Sequence, residues 1–189
     1  MMIIRILILV LTCLVSINPI SAEDLRIPVL VGQTGASQTF GRNESDGYKL
    51  AAEEWNAKGG INGRRVVLEF EDTETVARKT MSAFQLQLAR GAQVVLGPTW
   101  LDGFPALIPI ARKRGVLLVT PSAAIEAFTE ADRTWPVSFY HNSVTEIKVL
   151  AEALRKRNLS RLALVYEQEP FSEMLRKAGK TPPYCESGS

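Results

Sequence analysis

The stretch Val94-Val95-Leu96-Gly97-Pro98-Thr99-Trp100-Leu101-Asp102-Gly103 decides how this chain folds. A short apolar run stops at Gly-Pro, and a segment with helical periodicity resumes a few residues later. That order predicts a buried strand, a sharp turn and a helix. In a parallel sheet such a turn lies at the carboxyl end of its strand, where N–H groups opening the next helix face a crevice. The turn is the expected wall of a small-molecule site.

Upstream of it, Ala77, Met81, Phe84 and Leu88 recur at helical spacing, and that helix is expected to stop near Gly91. Residues 65–70 read as a strand that leaves Glu71-Asp72 at its end. Tyr48, Ala51, Ala52 and Trp55 predict an amphipathic helix over residues 42–58, ended by Gly59-Gly60. Residues 25–31 predict the first strand, followed by a polar, glycine-punctuated loop over 32–41.

Downstream, a helix is expected over residues 101–114, with Pro105 in its first turn and a kink at Pro109. Residues 116–119 read as a strand closed by Thr120-Pro121-Ser122. Residues 137–140 predict a short extended crossing, and Val144, Ile147, Leu150, Ala151 and Leu154 another amphipathic helix. A fifth full strand is expected over 161–166 and a last helix over 170–178. Strands alternating with helices demand parallel pairing, so the fold class is α/β, a doubly wound parallel sheet.

Nearly half of the 189 residues are apolar, enough to bury a core. Residues 1–22 differ from the rest: Arg5, an apolar run from Ile6 to Val15, then Ile20-Ser21-Ala22 before Glu23. This is the pattern of a secretory signal peptide. The run is shorter than the ~20 residues of a spanning helix, so no stable membrane insertion is expected after cleavage. Removing it takes away one basic residue, Arg5, from a formal charge of +2 and leaves no electrostatic footprint for nucleic acid. Cys185 is then the remaining cysteine and His141 the single histidine, so neither a disulfide nor a metal cluster is expected.

No chemistry assembles from the motifs. Gly32, Gly35 and Gly41 are too widely spaced for a phosphate-binding loop, although Glu71-Asp72 stand where a ribose-binding carboxylate could. Pro121-Ser122-Ala123 is not a glycine-flanked nucleophile turn, and no histidine is assignable as its base. What remains is three loops at one sheet edge, residues 35–41, 97–102 and 121–124, a binding constellation without catalytic residues or cofactors. Phe40 and Trp100 are aromatics in polar loops, each able to meet a ligand or to fold back on its own helix. The helix start after Gly97-Pro98 would favour an anion by ~0.3–1 kcal/mol per favourable charge placement.

Several of these blocks resemble the periplasmic leucine/isoleucine/valine-binding proteins of ABC transporters, the type I periplasmic binding proteins. They are Gly35 to Gly41 with Gly47, then Ala52-Glu53-Glu54-Trp55-Asn56-Ala57-Lys58-Gly59-Gly60-Ile61-Asn62-Gly63-Arg64, then Glu69-Phe70-Glu71-Asp72. Gly91-Ala92, Gly97-Pro98, Pro109-Ile110-Ala111, Gly115-Val116 and Thr120-Pro121-Ser122-Ala123 continue the match. The resemblance implies two α/β lobes closing on a small solute and an ABC transporter permease as partner.

By position, the resemblance implies that Phe40 packs on the ligand side chain. Leu101 falls where a serine often holds the ligand carboxylate. Ser122 and Ala123 fall on the segment holding the head group, and Ala124 where a threonine hydroxyl often assists. Two hydroxyl positions are thus apolar here. Either Thr99 and Ser122 substitute, or the ligand is an amide, urea-like compound or aromatic acid rather than a branched-chain amino acid.

The expected organisation is a signal peptide at 1–22, the first lobe at 23–124, a crossover at 125–142, an incomplete second lobe at 143–180 and a disordered tail at 181–189. The second lobe holds one strand and one helix, which predicts a truncated, binding-impaired product. Export places the chain in the periplasm. The alternatives are a ligand-sensing domain of the same fold and, in another class, a fragment of an NAD(P)-dependent oxidoreductase.

Overall fold

A computed structural model describes residues 23–101, 103–123, 136–140, 143–159, 161, 163, 165–166, 168 and 170–179. The expected signal peptide, Asp102, Ala124, His141, most of the expected crossover and the 181–189 tail lie outside the described residues. Strands β1 (Leu25–Val31), β2 (Val66–Asp72), β3 (Val94–Leu96), β4 (Leu117–Thr120) and β5 (Pro136–Ser138) form one sheet. Its order is β2-β1-β3-β4-β5, and every pair is parallel. Around it run helices α1 (Gln38–Ala57), α2 (Ala77–Ala89), α3 (Phe104–Arg114), α4 (Ser143–Lys156) and α5 (Pro170–Gly179).

The chain enters in mid-sheet, adds β2 on one side, then returns past β1 to build β3, β4 and β5 on the other. The loops after β1 and β3 therefore leave in opposite senses, and a crevice opens at that switch point. Strands covered on both faces should be apolar without alternation, and Val29, Leu30 and Val31 are fully buried. The main core joins Leu30, Val95 and Leu118 of the sheet to Phe84 of α2 and to Phe104, Leu107, Ile108 and Ala111 of α3. Each such Leu or Phe contributes about 1.5–3 kcal/mol on burial.

Helix α1 covers strands β1 and β2 with a different kind of face. Its inward line is Gly41, Ser45, Tyr48, Ala52 and Asn56, small or polar, whereas Ala51 and Trp55 are exposed. A Cβ at Gly41 would stand 2.2 Å from the Gly32 carbonyl oxygen, so the helix rests directly on backbone. At its far end Asn56 does the work of a strand. Leu25 donates its N–H to the Arg65 carbonyl at 2.7 Å, so the neighbouring Val66 N–H and C=O point away from β1. Asn56 takes both, accepting at 2.7 Å and donating at 2.9 Å. Gly59 and Gly60 then end the helix with φ of 93° and 79°.

The element order matches the sequence reading, with differences at several boundaries. Helix α1 starts at Gln38 rather than near residue 42, so Phe40 and Gly41 are helical. Strand β2 includes Glu71 and Asp72. Helix α3 starts at Phe104 rather than Leu101, after Gly103 in a left-handed conformation. The sheet takes its fifth strand from Pro136–Ser138, while residues 161, 163, 165 and 166 lie in no strand. Helices α4 and α5 pack on each other.

Candidate functional site

The carboxyl edge of the sheet gathers three aromatic rings from distant parts of the chain. Phe40 opens the first turns of α1, Trp100 follows β3, and Tyr140 follows β5. The Phe40 and Trp100 ring centroids are 5.5 Å apart and tilted by 35°, and Tyr140 meets Trp100 edge-on at 6.5 Å. Each such pair is worth about 0.5–1.5 kcal/mol beyond its buried area. Phe40 nevertheless keeps 53 % of its surface exposed and Phe139 77 %. Trp100 itself holds φ of 65°, a left-handed conformation that a bulky side chain rarely adopts.

Behind the rings lies a polar layer. The Trp100 N–H donates to the Ser122 hydroxyl at 2.8 Å, and the Gly32 N–H donates to the Thr99 hydroxyl at 3.1 Å. Thr99 donates its hydroxyl hydrogen bond to Glu44 at 2.5 Å, and the Ser122 hydroxyl also bears on this carboxylate. Burial raises the Glu44 carboxyl above its ordinary value, against the lowering effect of these two hydroxyls. Tyr48, one turn on, is raised by burial and by the Glu44 charge, and its buried hydroxyl has no hydrogen-bond partner among the described residues. Thr120 closes the layer, donating to the Pro98 carbonyl at 3.0 Å and accepting the N–H groups of Ser122 and Ala123 at 3.2 and 3.3 Å. The peptide bond between Gly97 and Pro98 is cis.

The loop after β1 is pinned from the other side. Asp72 accepts the Thr34 hydroxyl at 2.7 Å, the Thr34 N–H at 3.3 Å and the Glu74 N–H at 2.9 Å. Burial would raise this carboxyl, but the hydrogen bonds together bring it below its ordinary value. Glu71 is engaged too, with Gln87 at 3.1 Å and Arg90 at 3.6 Å. The acidic pair that would serve a ribose thus ties the loop and α2 to the sheet.

Of the residues expected at a ligand, Phe40 and Trp100 come together on the open face. Ser122 stands just behind them, 8 % exposed. Thr99, Leu101 and Ala123 are buried, the latter two within the main core. Ala124 lies outside the described residues. The helix start after Gly97-Pro98, expected at Leu101 and able to favour an anion, lies three residues further on. Helix α3 begins at Phe104, its first N–H is bonded to the Leu101 carbonyl, and Pro105 has none. Glu44, Thr120 and Tyr140 were not foreseen. The signal for Glu44 was its spacing, four residues after Phe40 and four before Tyr48, on one helical face.

Two cavities lie elsewhere. One of about 870 Å³ opens at the opposite, amino edge, where Arg26 and Glu69 pair at 2.7 Å. Another of about 390 Å³ sits beside α1, between Gln33, Arg42, Lys49 and Asp72. Among the described residues no group of His, Cys, Asp and Glu could hold a metal ion, and no helix is long and apolar enough to cross a membrane.

A parallel sheet in this strand order, with loops converging at its carboxyl edge, is a doubly wound α/β sheet, and its likeness to solved structures makes it the type I periplasmic-binding-protein fold. A match to the periplasmic binding protein family spans residues 24–181, and the chain belongs to that family. It is similar to the Leu/Ile/Val-binding protein of Rhizobium johnstonii, 27 % identical over 163 residues, covering 86 % of this chain and 44 % of the relative. The chain therefore spans less than half the length of that relative. Among solved structures it is similar to the branched-chain amino acid transporter substrate-binding protein LivJ of Streptococcus pneumoniae in complex with isoleucine. That likeness has TM-score 0.62 and 22 % identity, and covers 71 % of this chain and 38 % of the other. A solute-binding protein of an ABC transporter from Rhodopseudomonas palustris BisB5, in complex with 3,4-dihydroxybenzoic acid, superposes with TM-score 0.63 at 16 % identity. It covers 71 % of this chain and 36 % of the other.

Proposed function

We propose that this chain supplies one wall of a solute crevice in the substrate-binding component of an ABC importer. In this reading residues 1–22 export it to the periplasm, 23–124 form the first lobe, 125–142 cross over, and 143–180 begin the second lobe. The solute is a branched-chain amino acid or a related small molecule, and a transporter permease receives it. The observation that carries the reading is the convergence of Phe40, Trp100 and Tyr140 at the switch point, backed by hydroxyls already spent on the wall itself. Such a surface offers apolar contact to a solute body and little to a charged head group. Phe40 and Trp100 contact the solute, and Ser122 stands just behind them towards its head-group end, with Ala123 buried beneath. Thr99 and Leu101 act from behind, one by hydrogen bonds and one by packing.

A second range of solutes, the aromatic acids, is favoured by the three rings, and one structural neighbour was solved with such an acid. Titrating the purified chain with L-leucine, L-isoleucine and 3,4-dihydroxybenzoate while following tryptophan fluorescence and the melting temperature tests both. A ligand that binds only the folded state adds about 2.7 kcal/mol of stability at one hundred times its Kd. A folded chain with no saturable response to any of the three defeats the proposal, and a saturable response to nicotinamide cofactors would replace it with an oxidoreductase.

A further inference from the structure

Behind the rings, hydroxyls are strung along one short segment. Thr120 ends β4 and has no access to solvent. Its hydroxyl accepts the N–H groups of Ser122 at 3.2 Å and Ala123 at 3.3 Å and donates to the Pro98 carbonyl at 3.0 Å. A hydroxyl has one proton and two lone pairs, so these bonds use its whole capacity. Bonds from a threonine hydroxyl to N–H groups just ahead of it fold the chain into a tight turn. Both ends of that turn reach the rings. The Ser122 hydroxyl accepts the Trp100 N–H at 2.8 Å. The Ala123 carbonyl accepts the Ser138 hydroxyl, which itself accepts the Tyr140 N–H at 3.1 Å. The Thr120 carbonyl also takes the Phe139 N–H at 3.0 Å, which ties the end of β5 to the same turn.

We propose that Thr120 is the positioning residue that spaces Trp100 from Tyr140. Its hydroxyl shapes the turn over residues 121–123. From that turn one arm runs through the Ser122 hydroxyl to Trp100, and the other through the Ala123 carbonyl and the Ser138 hydroxyl to Tyr140. The two rings follow β3 and β5, and the strand between these, β4, ends in the residue that sets both. Thr120 also holds the β3 loop directly, at the Pro98 carbonyl. Valine at this position keeps the shape of threonine but neither donates nor accepts. It would free the Ser122 N–H, the Ala123 N–H and the Pro98 carbonyl at once, around a side chain that water does not reach. The edge-on contact of Trp100 and Tyr140 at 6.5 Å would then lose its support from behind. The consequence for solute affinity rests on the binding function proposed above; the placement of the rings does not.

The test reads each ring separately. In a chain carrying Trp55→Phe and Trp135→Phe, Trp100 is the remaining tryptophan, and acrylamide quenching reports on it. Labelling that chain with 3-fluorotyrosine gives a fluorine resonance for each of its four tyrosines, and Tyr140→Phe identifies the one from Tyr140. Thr120→Val should raise the Trp100 quenching constant at least about two-fold, as expected of local opening, and should also shift or broaden the Tyr140 resonance. Thr120→Ser keeps the hydroxyl and should leave both signals at their wild-type values. Ser122→Ala should move the Trp100 signal more than the Tyr140 signal, and Ser138→Ala the reverse. A general loss of stability would move both alike. A Thr120→Val chain with a lower melting temperature but both signals unchanged overturns the proposal, and so does a Thr120→Ser chain that behaves like the valine variant. If Thr120→Val does not fold, Ser122→Ala and Ser138→Ala decide, and both signals unmoved in both variants overturns the proposal. L-leucine titration of the same proteins separates the two ideas. A wild-type chain that ignores leucine but passes the ring tests refutes leucine binding and upholds the positioning role.

Discussion

Replacing Gly97 with alanine tests the architecture of the crevice at its tightest point. Gly97 has φ of 94°, in the left-handed half of conformational space, where a Cβ costs about 1–2 kcal/mol. That Cβ would stand 2.0 Å from the Leu30 carbonyl oxygen and 3.0 Å from its carbon. Ordinary contact begins at 3.4 Å, so the loop and β1 must separate by more than an ångström. The obstacle is buried backbone rather than a side chain that could turn aside, and overpacking of this kind costs about 1–3 kcal/mol. Together the substitution should destabilise by about 2–5 kcal/mol, a large share of the ~5–15 kcal/mol typical of a domain. Gly47 is the control. It lies within α1 with nothing within 4 Å of its would-be Cβ, so Gly47→Ala should stabilise by ~0.5–1 kcal/mol. Urea unfolding followed by far-ultraviolet circular dichroism measures both. A Gly97→Ala chain within about 1 kcal/mol of wild type would refute the close approach of the β3 turn to β1 and the crevice built on it.

Asn56→Ala removes the side chain that satisfies both outward backbone groups of Val66, and should cost about 1–3 kcal/mol in urea unfolding. An unchanged midpoint would mean that the β2 edge is satisfied by something else. Asp72→Asn should weaken the loop after β1 in a pH-dependent way. The Asp72 carboxyl titrates below its ordinary value of 3.8, so its folded-state contribution is present above that value and is lost as pH falls through the lower folded one. Asp72 is exposed, so screening limits the effect to about 1 kcal/mol at neutral pH. Melting temperatures of the two proteins should converge in acid, and a gap that widens there would contradict the assignment.

The order of strands and helices was legible because parallel strands buried on both faces are apolar without interruption, and α2 and α3 carry large apolar residues at helical spacing. Helix α1 was harder to place. Its buried line is chosen for closeness to backbone, not for apolarity, so Gly41 looked like loop while Ala51 and Trp55 looked like core. Strand β5 was read only as an extended crossing because three residues give no periodicity. At the edge of the sheet, Phe40 and Trp100 stood out as aromatics among polar residues. The direction of the hydroxyls could not be read. Thr99 and Ser122 looked free for a ligand, yet both accept backbone N–H groups, and Thr99 is also committed to Glu44, a half-buried carboxylate on α1.

The position of β1 has a consequence for the lifetime of the crevice. It lies between β2 and β3, and its last residues, Val29, Leu30 and Val31, have no access to solvent. Amides held there exchange with deuterium only when the whole domain opens, whereas those of the edge strands β2 and β5 also exchange through local fraying. The wall of the crevice hangs from this slowest-exchanging strand. Gly32 follows it directly and holds Thr99, and Gly97 is pressed against Leu30. The aromatic rings can thus move on the scale of side chains while the frame that spaces them endures as long as the fold itself.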